Sequence, residues 1–320
     1  MVKCKICNNE LGNRSYTAHE MMFGLGDDFA YTECGNCGCV QIDEIPEDLS
    51  KYYPEHYYSF NTRLRLTDNP IVAFLKKQRA SHVFENSSLI GKIFWNTAKR
   101  PVFYVYFQRA GIDLSSSVLD VGCGEGKLLV WMKREGFTDL TGVDPYLKDP
   151  IDYGNGLIIY KKDLSEIDRE FDFIMLHHSF EHMGDPLAVL QKLVQLLKKD
   201  GCLLIRIPVA SSYAWKTFGI HWMALDPPRH LFLHTEESMK ILAEQAGLKT
   251  SEVIYDSAAQ QFWGSIQYQK GISLVDDRSY YKNKEKSIFT PEEIKKFEKH
   301  AKELNEKRTG DTACFYLKKA

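Results

Sequence analysis

Four cysteines open the chain in two pairs, Cys4 with Cys7 and Cys34 with Cys37, each pair separated by two residues. That spacing lets both sulfurs of a knuckle reach one ion, and four thiolates suit a tetrahedral zinc with no position left open for chemistry. Gly35 and Gly38 permit the tight turns that a knuckle needs. A redox CxxC is the alternative for either pair alone, and two knuckles together favour structural zinc. Cys39 lies beyond Gly38 and reads as a packing residue. Cys123, Cys202 and Cys314 sit singly in apolar segments and read as core rather than as disulfide partners.

The second constellation is SSVLDVGCGEG at 116–126, where an apolar strand runs into Asp120 and then Gly122, Gly124 and Gly126. Glycines there let a backbone turn approach a ligand, and the helix expected from Glu125 offers unpaired N–H groups. A dinucleotide-binding turn uses the same parts. Further strands sharpen the reading. DLTGVDPY ends in Asp144, about where such folds place a carboxylate on a ribose diol. GLIIYKKDL ends in Asp163 and Leu164, and FDFIML runs into HHSFEHMGDP, which carries His177, His178, Glu181 and His182.

This series resembles the class I S-adenosylmethionine-dependent methyltransferases over roughly residues 115–255. The resemblance implies a doubly wound, seven-stranded Rossmann-like α/β sheet, here with a small N-terminal zinc ribbon. It also implies S-adenosylmethionine bound at Asp120, Gly122 and Gly124, with Asp144 on the ribose hydroxyls, the Asp163–Leu164 pair at the adenine, and His177 against the cofactor. The acid-first turn and the lack of a second dinucleotide-binding half set it apart from dehydrogenases. HHSFEHMGDP followed by DPPRHLFLHT is similar to a branch often associated with bacterial sugar and polysaccharide modification. A similar YYSF segment in ribbon-bearing methyltransferases makes Tyr58 a candidate lid over cofactor or sugar; a packed core edge is the alternative for this tyrosine-rich stretch.

The cofactor's sulfonium already activates the methyl, so the protein must position a nucleophile and take its proton. A sugar hydroxyl is barely acidic, and histidine titrates near neutral pH. His178 is therefore the first candidate base, at a strand end where open α/β sheets place ligands. His182 and Glu181 would orient it, and His230 would reach in from an insertion; for each of the four a structural role is the competing reading. Quinone O-methyltransferases carry an EH-containing loop at the matching place that can hold a divalent ion, but this chain has one carboxylate fewer. The HxxEH pattern of inverted zinc peptidases belongs on a helix, whereas this one follows a strand. Asp226-Pro-Pro-Arg229 lacks the aromatic residue of amino-group methyltransferases and sits after the wrong strand.

The elements that must position these residues follow from periodicity. We expect a zinc ribbon over 1–45, a linker and helical cap over 46–112, and the methyltransferase domain over 113–320 with insertions at 208–235 and 258–311. Within it, a helix is expected at 186–199 stopped by Gly201, a helix N-capped by Thr235 and a sixth strand at VIYD; the resemblance implies a last strand at ACFYLKK, antiparallel beside the sixth. With 320 residues and a net charge of −2, the chain gives no electrostatic reason to expect a polyanion. No apolar run reaches the ~18 residues of a membrane span, so a cytoplasmic enzyme is expected. The acceptor is expected to be a small, sugar-derived molecule. The alternatives are an RNA methyltransferase that reads through its ribbon, and a ribbon-based interaction protein with an inactive core.

Overall fold

The computed structural model describes residues 2–53, 69–97, 101 and 103–320. In chain order its strands are β1 (Arg14–His19), β2 (Asp28–Glu33), β3 (Val40–Ile42), β4 (Val118–Val121), β5 (Leu140–Val143), β6 (Ile151–Asp152), β7 (Ile158–Tyr160), β8 (Phe171–His177), β9 (Leu197–Pro208), β10 (Phe232–Leu233), β11 (Leu248–Tyr255) and β12 (Thr312–Lys319). The α-helices are α1 (Pro70–Glu85), α2 (Leu89–Thr97), α3 (Tyr104–Ala110), α4 (Lys127–Glu135), α5 (Pro186–Leu196), α6 (Tyr213–Phe218), α7 (Glu236–Gln245), α8 (Gln260–Gln269) and α9 (Pro291–Glu306).

The larger sheet has the order β11-β12-β9-β8-β4-β5-β7-β6. Its centre is parallel, β4 pairing with β5 and β8 and β5 with β7. Strands buried on both faces carry unbroken apolar runs rather than alternation. Accordingly Phe173, Ile174, Met175 and Leu176 of β8 are all fully buried. Alternating strands and helices around this sheet make the α/β, Rossmann-like fold of the methyltransferases; β12 lies beside β11, as the resemblance implies, with β9 on its other side.

Three local details differ from the sequence reading. The stretch after β5 makes the short strand β6, which hairpins antiparallel onto β7 and gives the sheet an eighth strand where the resemblance implies seven. Gly154 and Gly156, both at positive φ, supply the turn. Helix α5 ends at Leu196, and Gly201 lies inside β9 instead of capping the helix. A Cβ there would sit 2.8 Å from Leu197 Cδ1 and 3.0 Å from the Asp172 carbonyl, so this glycine serves close approach. The strand read at VIYD begins earlier, at Leu248.

The smaller sheet has the order β1-β2-β3-β10, antiparallel throughout. Its fourth strand comes from far along the chain, with Phe232 opposite Gln41 and Leu233 opposite Val40. The chain forms two compact units. One gathers Met1–Pro54, Phe180–Ala188 and Arg206–Phe315, and is called the ribbon unit below; the other gathers Glu55–Ser179, Val189–Ile205 and Tyr316–Ala320, and is called the glycine-turn unit. In the latter, α1, α3 and α4 are tied by a buried triad in which Arg79 pairs with Glu135 at 2.6 Å and the Tyr104 hydroxyl donates to the same carboxylate. Thr235 and Ser238 form a capping box that starts α7. Among the described residues no helix is long and apolar enough to cross a membrane.

Candidate active site

In the glycine-turn unit β4 delivers the chain into a turn where Gly122, Gly124 and Gly126 have φ of +70°, +54° and +75°. Only glycine adopts these values without strain. Space forbids a side chain as well. A Cβ on Gly122 would lie 2.5 Å from Ser179 Cβ, and one on Gly126 would lie 2.4 Å from Ile159 Cδ1. Ser179 is itself fixed, its hydroxyl donating to the Val121 carbonyl at 2.7 Å. Helix α4 starts at Lys127, two residues later than read from sequence, and Gly126 at its N-cap has no side chain to occupy the first-turn N–H groups.

Asp144, at the end of β5, braces this turn. Its Oδ2 accepts from Gly124 N at 2.8 Å and its Oδ1 from Tyr146 N at 2.9 Å. Both carboxylate oxygens are thus acceptors for backbone N–H groups of the turn. Asp120 is buried, and burial together with the Asp144 charge pushes its carboxyl up to about 8. Asp163 is the N-cap of a short helical turn, Leu164–Glu166: its Oδ1 accepts from Ser165 N at 2.9 Å and its N–H donates to Glu166 at 2.7 Å. The Ser165 hydroxyl, also on Oδ1, holds the carboxyl below its ordinary value. Leu164 is buried beside it.

β8 ends at His177, whose ring meets Tyr106 edge-on at 5.4 Å between centroids. His178 follows, exposed, at φ +53°, the left-handed region that costs a non-glycine residue about 1 kcal/mol or more. The structure thus brings Asp120, Gly122, Gly124 and Asp144 together around one turn and sets Asp163, Leu164, His177 and His178 at neighbouring strand ends. Tyr58, with Tyr57, lies outside the described residues.

Glu181, His182 and His230 meet in the ribbon unit, where one ligating atom from each falls within 4.8 Å of the others, a set able to hold a cation. Glu181 is fully buried, and His230 Nε2 lies 3.9 Å from its Oε1. The imidazole rings of His182 and His230 are 4.7 Å apart. His182 Nδ1 is 2.8 Å from the Arg229 carbonyl, and His230 Nδ1 is 2.7 Å from the Ala224 carbonyl. Burial first, then His230, hold His182 below the ordinary imidazole range.

Beneath this pair is a buried ion network that sequence reasoning missed. The Arg229 guanidinium, with no exposed surface, bonds Asp226 through Nε at 2.9 Å and Nη2 at 2.6 Å, and bonds Glu20 at 2.9 Å. The two carboxylates raise its already high pKa, overcoming burial, and Arg229 in turn holds Asp226 low against the opposing effect of burial. An arginine beside a histidine in DPPRHLFLHT was the signal available; nothing in the sequence pointed to Glu20.

The four knuckle cysteines also gather in this unit. Cys4 Sγ lies 3.7 Å from Cys37 Sγ, and Cys7 Sγ lies 3.5 Å from Cys34 Sγ. Ligands at about 2.3 Å from a tetrahedral centre are about 3.8 Å apart, so the spacing fits zinc. Backbone N–H groups of Ile6, Asn36 and Cys37 point at the sulfurs, as suits thiolates. The neighbouring Cys37 thiol holds Cys4 low, at about 5. Cys39 is buried outside the cluster, against His234.

The parallel α/β sheet with a glycine turn at a strand end, taken with the matches that follow, supports an S-adenosylmethionine-dependent methyltransferase. Residues 98–253 match the family model described as "Methyltransferase domain". The chain is 35% identical over 112 residues to the ubiquinone biosynthesis O-methyltransferase of Actinobacillus pleuropneumoniae, a match covering 30% of this chain and 47% of that protein. It is 27% identical over 189 residues to the enzyme of the same name from Haemophilus ducreyi, covering 51% and 79%. Thus the first of these matches spans about half of the relative's length. A solved methyltransferase from Archaeoglobus fulgidus aligns with a TM-score of 0.43 at 20% identity, covering 75% of this chain and 97% of that one.

Proposed function

We propose that the protein transfers the methyl of S-adenosylmethionine to a small-molecule acceptor, a hydroxyl or carbon of a sugar or glycan intermediate, in the cytoplasm as part of polysaccharide biosynthesis. The observation that carries methyl transfer is the turn at Gly122–Gly126, where dihedral angles and close approach both demand glycine while Asp144 holds the Gly124 amide. In this reading Asp144 accepts the ribose hydroxyls and the Asp163–Leu164 turn meets the adenine. His177 lies against the cofactor. The sugar assignment rests on HHSFEHMGDP and DPPRHLFLHT alone. The small-molecule class also fits the ubiquinone enzymes that the chain resembles in part.

Bound cofactor supplies an activated methyl for in-line displacement. The chain's own residues orient the acceptor and remove its proton, and His178 beyond β8 is the group assigned to accept it, with Glu181, His182 and His230 as the further candidates. Cys4, Cys7, Cys34 and Cys37 hold one structural zinc and take no part in the reaction.

Incubation of pure protein and methyl-labelled cofactor with pools of sugar nucleotides and glycans should label one component. Label appearing only in quinones, protein or RNA would reject the sugar reading while leaving methyl transfer standing. With that acceptor, His178→Ala should keep its affinity for S-adenosylhomocysteine and lose about a hundred-fold or more in turnover. Unchanged turnover at saturating acceptor would move the base elsewhere.

A further inference from the structure

The cysteine-bearing segment reaches the histidine pair through several bonds that zinc binding alone does not require. The Tyr31 hydroxyl donates to the His230 carbonyl at 2.8 Å. Glu20 holds Arg229, whose guanidinium also donates to the Tyr52 carbonyl at 3.3 Å. Thr235, just beyond, donates its hydroxyl to the Cys37 carbonyl at 2.6 Å. Strand β10 adds ladder pairing with β3 between these anchors. The backbone from Arg229 to Thr235 is therefore gripped by residues 20–52, and Tyr31 and Arg229 are both fully buried.

That grip has a chemical consequence at the two imidazoles. A carbonyl oxygen only accepts, so His182 Nδ1, facing the Arg229 carbonyl, and His230 Nδ1, facing the Ala224 carbonyl, must each carry the proton. In its neutral form each ring then leaves Nε2 as a proton acceptor or ligand, that of His230 lying 3.9 Å from both Glu181 Oε1 and Asp226 Oδ2. We propose that Glu20 and Tyr31 are positioning residues: by fixing the backbone at Arg229 and His230 they hold His182 and His230 in the Nδ1–H tautomer. The segment that carries the cysteines is, on this account, a brace for two bases rather than a separate reader of a partner. The Tyr53 hydroxyl, 3.2 Å from His182 Nδ1, comes from the same segment and supports the same tautomer as an acceptor.

Imidazole nitrogen shifts in 15N-histidine-labelled full-length protein, assigned with His182→Gln and His230→Gln, report the tautomers directly. The expected result is Nδ1–H with unprotonated Nε2 for both rings above pH 8. Tyr31→Phe, which removes only the hydroxyl, should shift the His230 signals toward the mixed or Nε2–H pattern, and Glu20→Gln should do the same for His182. Either ring found as Nε2–H in the unaltered protein, or both variants keeping the original pattern, would overturn the proposal. Circular dichroism checks folding, and Tyr31→Phe carries the test should Glu20→Gln unfold. Only the kinetic arm rests on the methyl-transfer reading: kcat should fall several-fold in Tyr31→Phe while cofactor KM stays constant. A fall in kcat with unchanged tautomers would count against the brace and leave methyl transfer intact.

Discussion

In the glycine-turn unit the polar groups at the strand ends are backbone N–H groups and carboxylates bonded to one another, drawn from turns between Asp120 and Glu166. The ribbon unit instead assembles side chains from three distant stretches, at 20–53, 181–182 and 224–235, around one buried arginine. A site built from backbone is specified by dihedral angle and close approach, and so demands glycine at fixed spacing. A site built from side chains is specified by which segments fold together, and each contributing residue looks ordinary in its own stretch of sequence. The turn of the first arrangement is held by backbone geometry and the Asp144 carboxylate, whereas the second is built on the ion pairs of Arg229.

Breaking the metal site should have the largest effect, and on one region only. Protein purified without added metal should contain about one zinc per chain. Cys34→Ser should lose it and show a larger fall in Tm than any single substitution outside the cluster, since closed zinc sites contribute folding free energy outright. Calorimetric binding of S-adenosylhomocysteine should survive in whatever fraction stays folded. A Cys34→Ser variant that keeps both zinc and Tm would remove Cys34 from the cluster. Next in size is Arg229→Ala, which strands Glu20 and Asp226 in the interior. Losing one partner of a buried pair costs about 3–5 kcal/mol, read by urea unfolding. A loss below about 1 kcal/mol would mean that the carboxylates are relieved by protonation or water, and the contrast between the units would weaken.

The glycine turn, its following strands and the paired knuckles were legible in the sequence because each is local: a residue type at a fixed offset forces one backbone shape. The place of the last strand beside the sixth followed from the resemblance, and the Thr235 cap from its first-turn partners. What could not be read was pairing across the chain. Nothing local distinguishes Glu20 from a surface glutamate, yet it is fully buried on Arg229, more than two hundred residues away. Nor could the sequence show that Phe232 and Leu233 would complete the ribbon's sheet, because a two-residue strand has no periodicity to detect. Gly201 misled for a related reason: glycine stops helices and also permits close approach, and only the neighbouring Leu197 side chain and Asp172 carbonyl decide between them.

Asp144→Ala tests the other half of the comparison at an intermediate size. Loss of a charged acceptor for paired hydroxyls costs about 1.5–3 kcal/mol, so calorimetry should record a roughly ten- to hundred-fold weaker Kd for S-adenosylhomocysteine. Zinc content and the unfolding of the ribbon unit should not change. Unaltered affinity would exclude Asp144 from the cofactor site and reduce it to a brace for the Gly124 amide.

The smallest effect belongs to Asp163, where cap and ligand roles can be separated. Asp163→Ala removes the N-cap of the Leu164–Glu166 turn and should cost about 1 kcal/mol in urea unfolding at neutral pH, whereas Asp163→Asn, a comparable cap, should cost only a few tenths. The sign of the pH dependence follows from the Ser165 bonds, which hold the native carboxyl below its unfolded value. The stabilisation is then complete above the unfolded pKa of about 4 and disappears as pH falls through the lower native value, so wild type and Asp163→Asn should converge in acid. If the carboxylate also meets the adenine amino group, Asp163→Asn will bind S-adenosylhomocysteine more weakly at neutral pH despite its intact cap. Equal binding by the two proteins would leave Asp163 a helix cap and shift adenine recognition to Leu164 and the backbone around it.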